Sequence, residues 1–574
     1  MNRSTTAWKT IDWVIVLGFF LLALKFQLSF LYAAEFTVIP NADSGTVASF
    51  IAGWQNDDRF IGDMALDDKT KFAIYISLVL PAVAMIDWLV DDLGLAFLVL
   101  MLPIVFSHAC GFYLVGRRVL DGRLAAALFA LATLVPVWTM DGDLWGIYHT
   151  PLVRMAFGAL FPFLLLAAFN VQNNLSKLYV LAAFCGIALY VHGVSGPSVT
   201  CALFLGTLAF IPNKAQFITW ARKCLVAALI FIVLITPFAV IYVSSFPSLE
   251  RVPQGGIDEI LALYGPYTDI SWAMESLLNP KCCNAVRGHG WHWVVWIGGL
   301  IGLIIGSITH KERRSLYGFC LLFIIGILIT SIGITAIDQW ISNQLDRAPA
   351  QVDLIRNMRY LVPILILGYG ILFQQAIATI KAGLDEDRRY RMLIPGLNVA
   401  FLIHIYTFVV PQFNSTSPGY LSTSFNAGEA MIARYTPNGT QDLLRYLKAQ
   451  EPNTSVFSVA DEVMTLAIRY QSLQPVTYIY KDRNVLLYSN HEDTGRFLSI
   501  RDQYDAFLEV DNDQHATRAL CEALRLAPSE LLVIDHRIIS AQRLNLARQT
   551  GKILETFDEI SVIDVQPNNC HQAS

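Results

Sequence analysis

LGLAFLVLMLPIVFSHACGFYLV, residues 93–115, runs directly into GRRVLDGR, residues 116–123, and the junction between the two decides the fold. The first stretch carries no Asp, Glu, Lys or Arg. At about 1.5 Å of rise per residue it is long enough for the ~30 Å hydrocarbon core of a bilayer. The second places Arg117, Arg118 and Arg123 within a short turn. Clustered arginines mark the cytoplasmic flank of a membrane span, so this helix is read as entering from outside and ending inside.

Similar apolar runs lie at about 13–34, 72–90, 123–140, 155–169, 178–192, 197–212, 223–244, 291–309, 316–337, 358–380 and 392–411. If all of them cross, an inside N-terminus with Arg3 and Lys9 puts Arg117, Arg118 and Arg123 outside and inverts every later loop. Reading 72–90 as a re-entrant or interfacial segment removes the conflict. Lys177, Lys214, Arg222, Lys223, Lys311, Arg313, Arg314, Lys381, Arg388, Arg389 and Arg391 then all fall inside, and Asp87, Asp91 and Asp92 stay at an interface. The expectation is an α-helical polytopic membrane protein of about 11 spans plus that segment. Its N-terminus is cytoplasmic, and an α/β domain stands on the extracytoplasmic side.

Composition agrees. The 574 residues are 55% hydrophobic and 15% charged, with a mean hydropathy of +0.48. That is not the balance of a water-soluble enzyme. The excess ends near Pro411, which divides a transmembrane domain, 1–411, from a soluble domain, 412–574. A net charge of -5, with no basic patch among aromatics, leaves nucleic acid without an electrostatic footprint. The first outer loop, 35–71, is acidic, carrying Glu35, Asp43, Asp57, Asp58, Asp63, Asp67 and Asp68 against Arg59, Lys69 and Lys71. Further outer loops are expected at 245–290 and 338–357. Gly298, Gly302 and Gly306 repeat every fourth residue and predict close helix packing.

In the tail, 441–449 and 461–470 read as helices, and 455–459, 475–480, 531–535 and 559–565 as strands. It holds no Gly-rich phosphate loop and no GxSxG, so it is read as an accessory or acceptor-binding cap rather than a second enzyme. Cys521 and Cys570 are free to pair if this domain faces an oxidising compartment. Cys282, Cys283, His289 and His292 do not have a zinc-site spacing, and no metal ligand is assigned, although a divalent metal stays open.

Ionisable groups near membrane depth cost roughly 2.5 to 3.5 kcal/mol each at the bilayer centre, so they call for a reason. Asp43, shortly after the first span, is placed either as a general base toward an acceptor hydroxyl or as a helix cap. His149, Arg154, His192, Arg356 and Arg359 flank the outer ends of spans, and Lys25 lies within the first one. These are candidates to hold a lipid phosphate, with snorkelling to headgroups as the alternative. Asp63, Tyr264, Tyr267 and Asp269 are candidate acceptor or sugar contacts, and Asp57 and Asp63 are the next acids in line as a base.

The stretch from Asp43 to Trp54, the segment Arg359-Tyr360-Leu-Val-Pro363-Ile-Leu-Ile, and residues 97–122 together resemble the GT-C superfamily of multi-span glycosyltransferases. The resemblance covers roughly 1–411. It implies a polyprenyl-phosphate sugar as donor, an inverting transfer to a glycan, lipid or protein acceptor, Asp43 as base, and Arg359 on the carrier's phosphate. Asp43-Ser44 stands where an acidic pair is usual. The tail motifs Ala467-Ile-Arg469-Tyr470 and Lys481-Asp482 look like those of bacterial membrane proteins of the same type, which implies a bacterial plasma membrane. The competing readings are a lipid or polysaccharide transporter, for which no repeated halves are found, and a non-catalytic scaffold with this fold.

Overall fold

The computed structural model describes residues 8–28, 31, 34–56, 58–73, 75–135, 137–140, 143–147, 151–245, 270–271, 291–345, 353–383, 435–483, 485, 491–510, 512–566 and 569–570. The boundary expected near Pro411, the run at 392–411 and most of 245–290 lie outside them.

Among the described residues, six helical stretches are long and apolar enough to cross a membrane: Thr10–Leu28, Leu93–Val119, Val153–Val171, Lys214–Tyr242, Lys311–Leu345 and Leu354–Ala378. The first is α1 (Thr10–Leu28). Only Asp12, Phe19, Ala23 and Gln27 of it are buried, while Ile11, Trp13, Val14, Leu17, Phe20 and Leu21 stand exposed. An apolar face with no protein partner suits contact with lipid. The chain then runs into α2 (Ala42–Gln55) and α3 (Val79–Val90) before the apolar rod formed by α4 (Leu93–Val99) and α5 (Met101–Val119).

A node of hydrogen bonds ties the start of that rod to the chain just after α1. Asp92 caps α4 through Leu95 N–H at 2.9 Å and accepts from Thr37 N–H at 3.0 Å, while Gln471 Nε2 donates to Thr37 O at 2.7 Å. Gly94 permits this approach, since a Cβ there would lie 1.9 Å from Thr37 O. The segment 38–91 therefore starts and finishes at one end of the helical bundle. Within it α3 is only 12 residues long. At ~1.5 Å of rise per residue such a helix falls well short of the ~30 Å bilayer core. Its Trp88 is 82% exposed.

The opposite end gathers the basic turns. Asp12 is fully buried and accepts from Tyr113 OH at 2.5 Å and from Arg123 Nε at 3.0 Å, with Arg117 paired to it as well. Arg313 donates to Asp121 at 2.6 Å, Lys223 to Ser176 at 2.7 Å, and Gln172 to Ser315 at 2.8 Å. These contacts bring the turns near 117–123, 172–177, 223 and 311–315 together.

Between the ends run α6 (Arg123–Leu134), α7 (Val153–Val171), α8 (Lys177–Leu189), α9 (Ser195–Gly206), α10 (Lys214–Ser245), α11 (Trp291–Thr309), α12 (Arg314–Leu328), α13 (Ile334–Leu345) and α14 (Leu361–Gly383). Two expectations need correcting. The run at 123–140 is helical only to Leu134, because Val135 precedes a proline and adopts an extended conformation. After it β1 (Val137–Met140) and β2 (Asp143–Trp145) form a short antiparallel hairpin. The first helix ends at Leu28 rather than near 34. The Gly298, Gly302 and Gly306 face packs as expected, against α14, where a Cβ on Gly302 would lie 1.9 Å from Gly368 O.

The tail is an α/β unit: α15 (Thr440–Lys448), β3 (Val456–Val459), α16 (Glu462–Ala467), α17 (His491–Glu509), α18 (Asp513–Leu526), β4 (Leu531–Asp535), α19 (Ala541–Ala547), β5 (Gly551–Phe557) and β6 (Ile560–Val565). Its sheet has the order β3-β4-β6-β5, with β3 and β4 parallel and the other pairs antiparallel. The expected strand at 475–480 reduces to a single bridge between Val476 and Val456. Cys521 and Cys570 form a disulfide.

Alternate residues of β4 point to different cores, as the two-residue period of a strand requires. Leu532 and Ile534 pack with Phe497, Leu520 and Ile563. Leu531 and Val533 join a cluster continuous with the helical bundle through Val463, Met464 and Leu466. Polar contacts along residues 35–71 reinforce that junction. Arg445 pairs with Glu35, Tyr470 OH accepts from Ile39 N–H at 2.8 Å, Asn453 Oδ1 accepts from Ile61 N–H at 3.0 Å, and Lys71 reaches Asp493 at 2.9 Å.

Candidate functional site

At the end of the bundle that faces the α/β unit lies a cavity of about 430 Å³. Three pieces of backbone set its polar lining. The first is α2, capped by Asn41, whose side chain accepts from Ser44 N–H at 3.1 Å. The capping function is therefore filled by Asn41, and Asp43, in the first turn, turns its carboxylate into the cavity. Ser44 Oγ donates to Pro151 O at 2.8 Å and fixes α2 against the start of α7, where Arg154 sits.

The second piece is the 3-10 turn Leu354–Tyr360 ahead of α14. Asn357 Nδ2 donates to Ser198 Oγ and to Val194 O, both at 3.0 Å, and Tyr360 OH donates to Ser195 Oγ at 2.8 Å. With those two residues anchored at the start of α9, Arg356 and Arg359 line the cavity, and Asp353 lies beside Arg356 at 3.3 Å. The third is the link between α8 and α9. There His192 Nδ1 accepts from Ser195 N–H at 3.2 Å. An accepting Nδ1 leaves the proton of the neutral ring on Nε2.

Five residues singled out from sequence thus share one cavity: Asp43, Arg154, His192, Arg356 and Arg359. Lys481, from the turn Tyr480–Asp482 of the α/β unit, lines it too and forms an ion pair with Asp43; Arg154 Nη1 lies 3.8 Å from the same carboxylate. Among the described lining residues, four cations face two carboxylates, Asp43 and Asp353. The rest of the wall is largely apolar and aromatic, including Phe50, Phe72, Tyr75, Phe238 and Tyr242.

This charge balance governs titration. Burial opposes ionisation of Asp43, but Lys481, then Arg154 and Arg356, outweigh it and hold the carboxyl well below its ordinary range. Burial and the nearby Arg359, Arg356 and Arg154 act together on His192 and push it well below its usual value. His192 is therefore a neutral imidazole at pH 7. It offers a hydrogen bond from Nε2 and no positive charge.

Other expectations do not converge here. Asp63 is fully buried and committed to Arg469, with Arg469 Nε at 2.8 Å and Nη2 at 2.9 Å, so it is no sugar contact. Lys25, on α1, is not among the residues lining the cavity. His149, Tyr264, Tyr267, Asp269 and Asp57 lie outside the described residues, as do Cys282, Cys283 and His289. Among the described residues no cluster of three or more His, Cys, Asp or Glu is arranged to hold a metal ion. Lys481 was missed as a lining residue because nothing local in a lysine between Tyr480 and Asp482 reports a partner at the far end of the chain. No family model, curated protein or solved structure matches the chain, so the site's own geometry carries its reading.

Proposed function

We propose that the chain is a membrane glycosyltransferase of GT-C type, moving a sugar from a polyprenyl-phosphate donor to an extracytoplasmic acceptor with inversion. One observation carries this reading: the Asp43 carboxylate and an excess of cations, four against two carboxylates among the described lining residues, converge on a cavity at one end of an apolar helical bundle. Arg356 and Arg359 bind the donor's phosphate, with the planar guanidinium fork suited to its oxygens, and Arg154 lies between phosphate and base. His192 adds a neutral donor.

In the transfer, the acceptor hydroxyl oxygen attacks the anomeric carbon as the carbon–oxygen bond to phosphate breaks. The hydroxyl proton passes to Asp43, and the electron pair leaves on the carrier's phosphate, whose charge rises by one. Negative charge thus moves from Asp43 to phosphate within one set of cations, which stabilises the leaving group. The same cations that weaken Asp43 as a base in the empty site are partly neutralised when the donor phosphate enters. Asp43 then recovers basicity only with donor in place.

The topology follows the same reading. Because 38–91 returns to its own end of the bundle and α3 is shorter than a bilayer core, that segment is re-entrant or interfacial. The end bearing Arg117, Arg123, Lys177 and Arg313 is cytoplasmic by its charge. The cavity and the α/β unit are then outside, where the Cys521–Cys570 disulfide is stable. Ten passes fall among the described residues, and the run at 392–411, the eleventh expected from sequence, lies outside them. A bacterial plasma membrane fits the tail motifs. The acceptor is a glycan, lipid or protein.

The test is sugar transfer by the full chain in proteoliposomes supplied with a panel of polyprenyl-phosphate sugars. Transfer from at least one donor is expected. No transfer from any donor and acceptor pair in the panel, by correctly folded protein, overturns the reading.

A further inference from the structure

The residue beside Asp43 belongs to the part of the chain that sequence reading treats as a cap. Lys481 forms an ion pair with Asp43, and its neighbour Asp482 is held by a fully buried charge network. Arg469 Nη1 and Nη2 donate to Asp482 at 2.9 and 2.7 Å, while Nε and Nη2 donate to Asp63 at 2.8 and 2.9 Å. Asp63 also accepts from Val476 N–H, Ala65 N–H and Leu66 N–H, each at 3.0 Å. Every member of this network is at most 1% exposed.

Asp63 lies in the same outer loop as Asp43. Two acids and one guanidinium taken out of water are a poor way to gain stability, because desolvation offsets most of the attraction. Their use is in fixing register. With the polar atoms satisfied on both sides, only one seating of the Lys481 turn on the Asp43 loop keeps every charge paired.

We propose that the α/β unit is a working part of the transfer site, with Lys481 as the positioning residue that orients the Asp43 carboxylate and Asp63–Arg469–Asp482 as the lock that holds Lys481 there. The inference rests on the transfer reading for its kinetic consequences. Its contact is testable without them.

Charged groups acting on Asp43 come from three directions: Lys481 from the α/β unit, Arg154 from α7 and Arg356 from the turn before α14. Tyr75 and Glu462 lie close enough to feel its charge. Removing Lys481 leaves burial opposed by the arginines alone, so the carboxyl titrates at higher pH.

The experiment uses the full chain in nanodiscs as Asp43→Asn, Lys481→Met, the double variant and Lys481→Arg. Melting temperatures are measured for all, and transfer kinetics against pH for wild type and the Lys481 variants. The double variant is expected to melt no lower than the less stable single variant. Lys481→Met should lower kcat about tenfold or more with donor KM within about threefold, and its acid limb should move to higher pH. Lys481→Arg should recover most of kcat and the wild-type limb. Melting shifts that simply add, or a Lys481→Met profile identical to wild type, overturn the proposal. Non-additive melting in a wild-type protein that transfers nothing keeps the pairing and overturns the transfer reading instead.

Discussion

Two carboxylates in this molecule are ringed by cations, one at each end of the helical bundle, and they differ in what surrounds them. Asp12 is fully buried, and Tyr113, Arg117, Arg123 and Lys9 N–H converge on it. Asp43 has a comparable set in Lys481 and Arg154, yet its side chain is 38% exposed into a cavity where two further arginines add positive charge. The first carboxylate is sealed from solvent beneath the two arginines and the tyrosine that bind it. The second is open and carries excess positive charge that an anion would balance. An ion cluster alone therefore says little about function; an unbalanced one with room beside it says a good deal.

The comparison breaks most readily at the two acids themselves. Asp43→Asn keeps the shape of the side chain and leaves the Asn41 cap intact, so the protein should insert and fold normally. Its transfer rate should fall roughly 10²- to 10⁴-fold, the usual loss for a positioned base. Asp12→Asn should do the reverse. It leaves Arg117 and Arg123, both paired with Asp12, beside a neutral amide. The cost is roughly 3 kcal/mol, the lower end for a broken buried pair because both arginines keep a route to water. Lower melting temperature with unchanged kcat per folded molecule is expected. If Asp12→Asn loses kcat, or Asp43→Asn loses more stability than Asp12→Asn, the division of labour is wrong.

Arg359→Ala sharpens the comparison by removing part of the excess charge while leaving Asp43 paired with Lys481 and Arg154. Losing a charge-assisted contact of roughly 1.5–3 kcal/mol should raise donor KM about 10- to 100-fold, with a smaller change in kcat. An unchanged KM would place the donor phosphate elsewhere.

The smallest effect is on pH dependence of stability. Asp43 has a folded pKa below its unfolded value. Its pairing therefore stabilises the protein above the ordinary carboxylate range, near about pH 4, and is lost as pH falls through the lower folded value. The melting difference between wild type and Asp43→Asn should stay level from about pH 5 to 8 and close only below about pH 4. A difference that already shrinks between pH 7 and 5 would mean the carboxyl is not held down by its cations.

How much of this was legible in the sequence depends on how far apart the partners lie. Apolar period and length exposed the helices, because each is decided by its own residues, and arginine turns exposed their common end. The run at 123–140 failed because its composition stays apolar past Val135, where the following proline ends the helix. Arg154, His192, Arg356 and Arg359 were readable since each stands at the end of an apolar run, where a charge is costly without a use, and Asp43 since it follows the first such run. Whether they met was not readable. Asp63 looked like Asp43, an acid in the same loop, and only Arg469, 406 positions on, distinguishes a structural acid from an available one. Lys481 was hidden for the same reason.

The most direct test of the account is a structure of the full chain in nanodiscs with a polyprenyl monophosphate bound. The account predicts the phosphate inside the cavity, within hydrogen-bond reach of Arg356 and Arg359 and on the same side of the bundle as Asp43. Phosphate density seated instead among Arg117, Arg123 and Arg313 at the opposite end would contradict it.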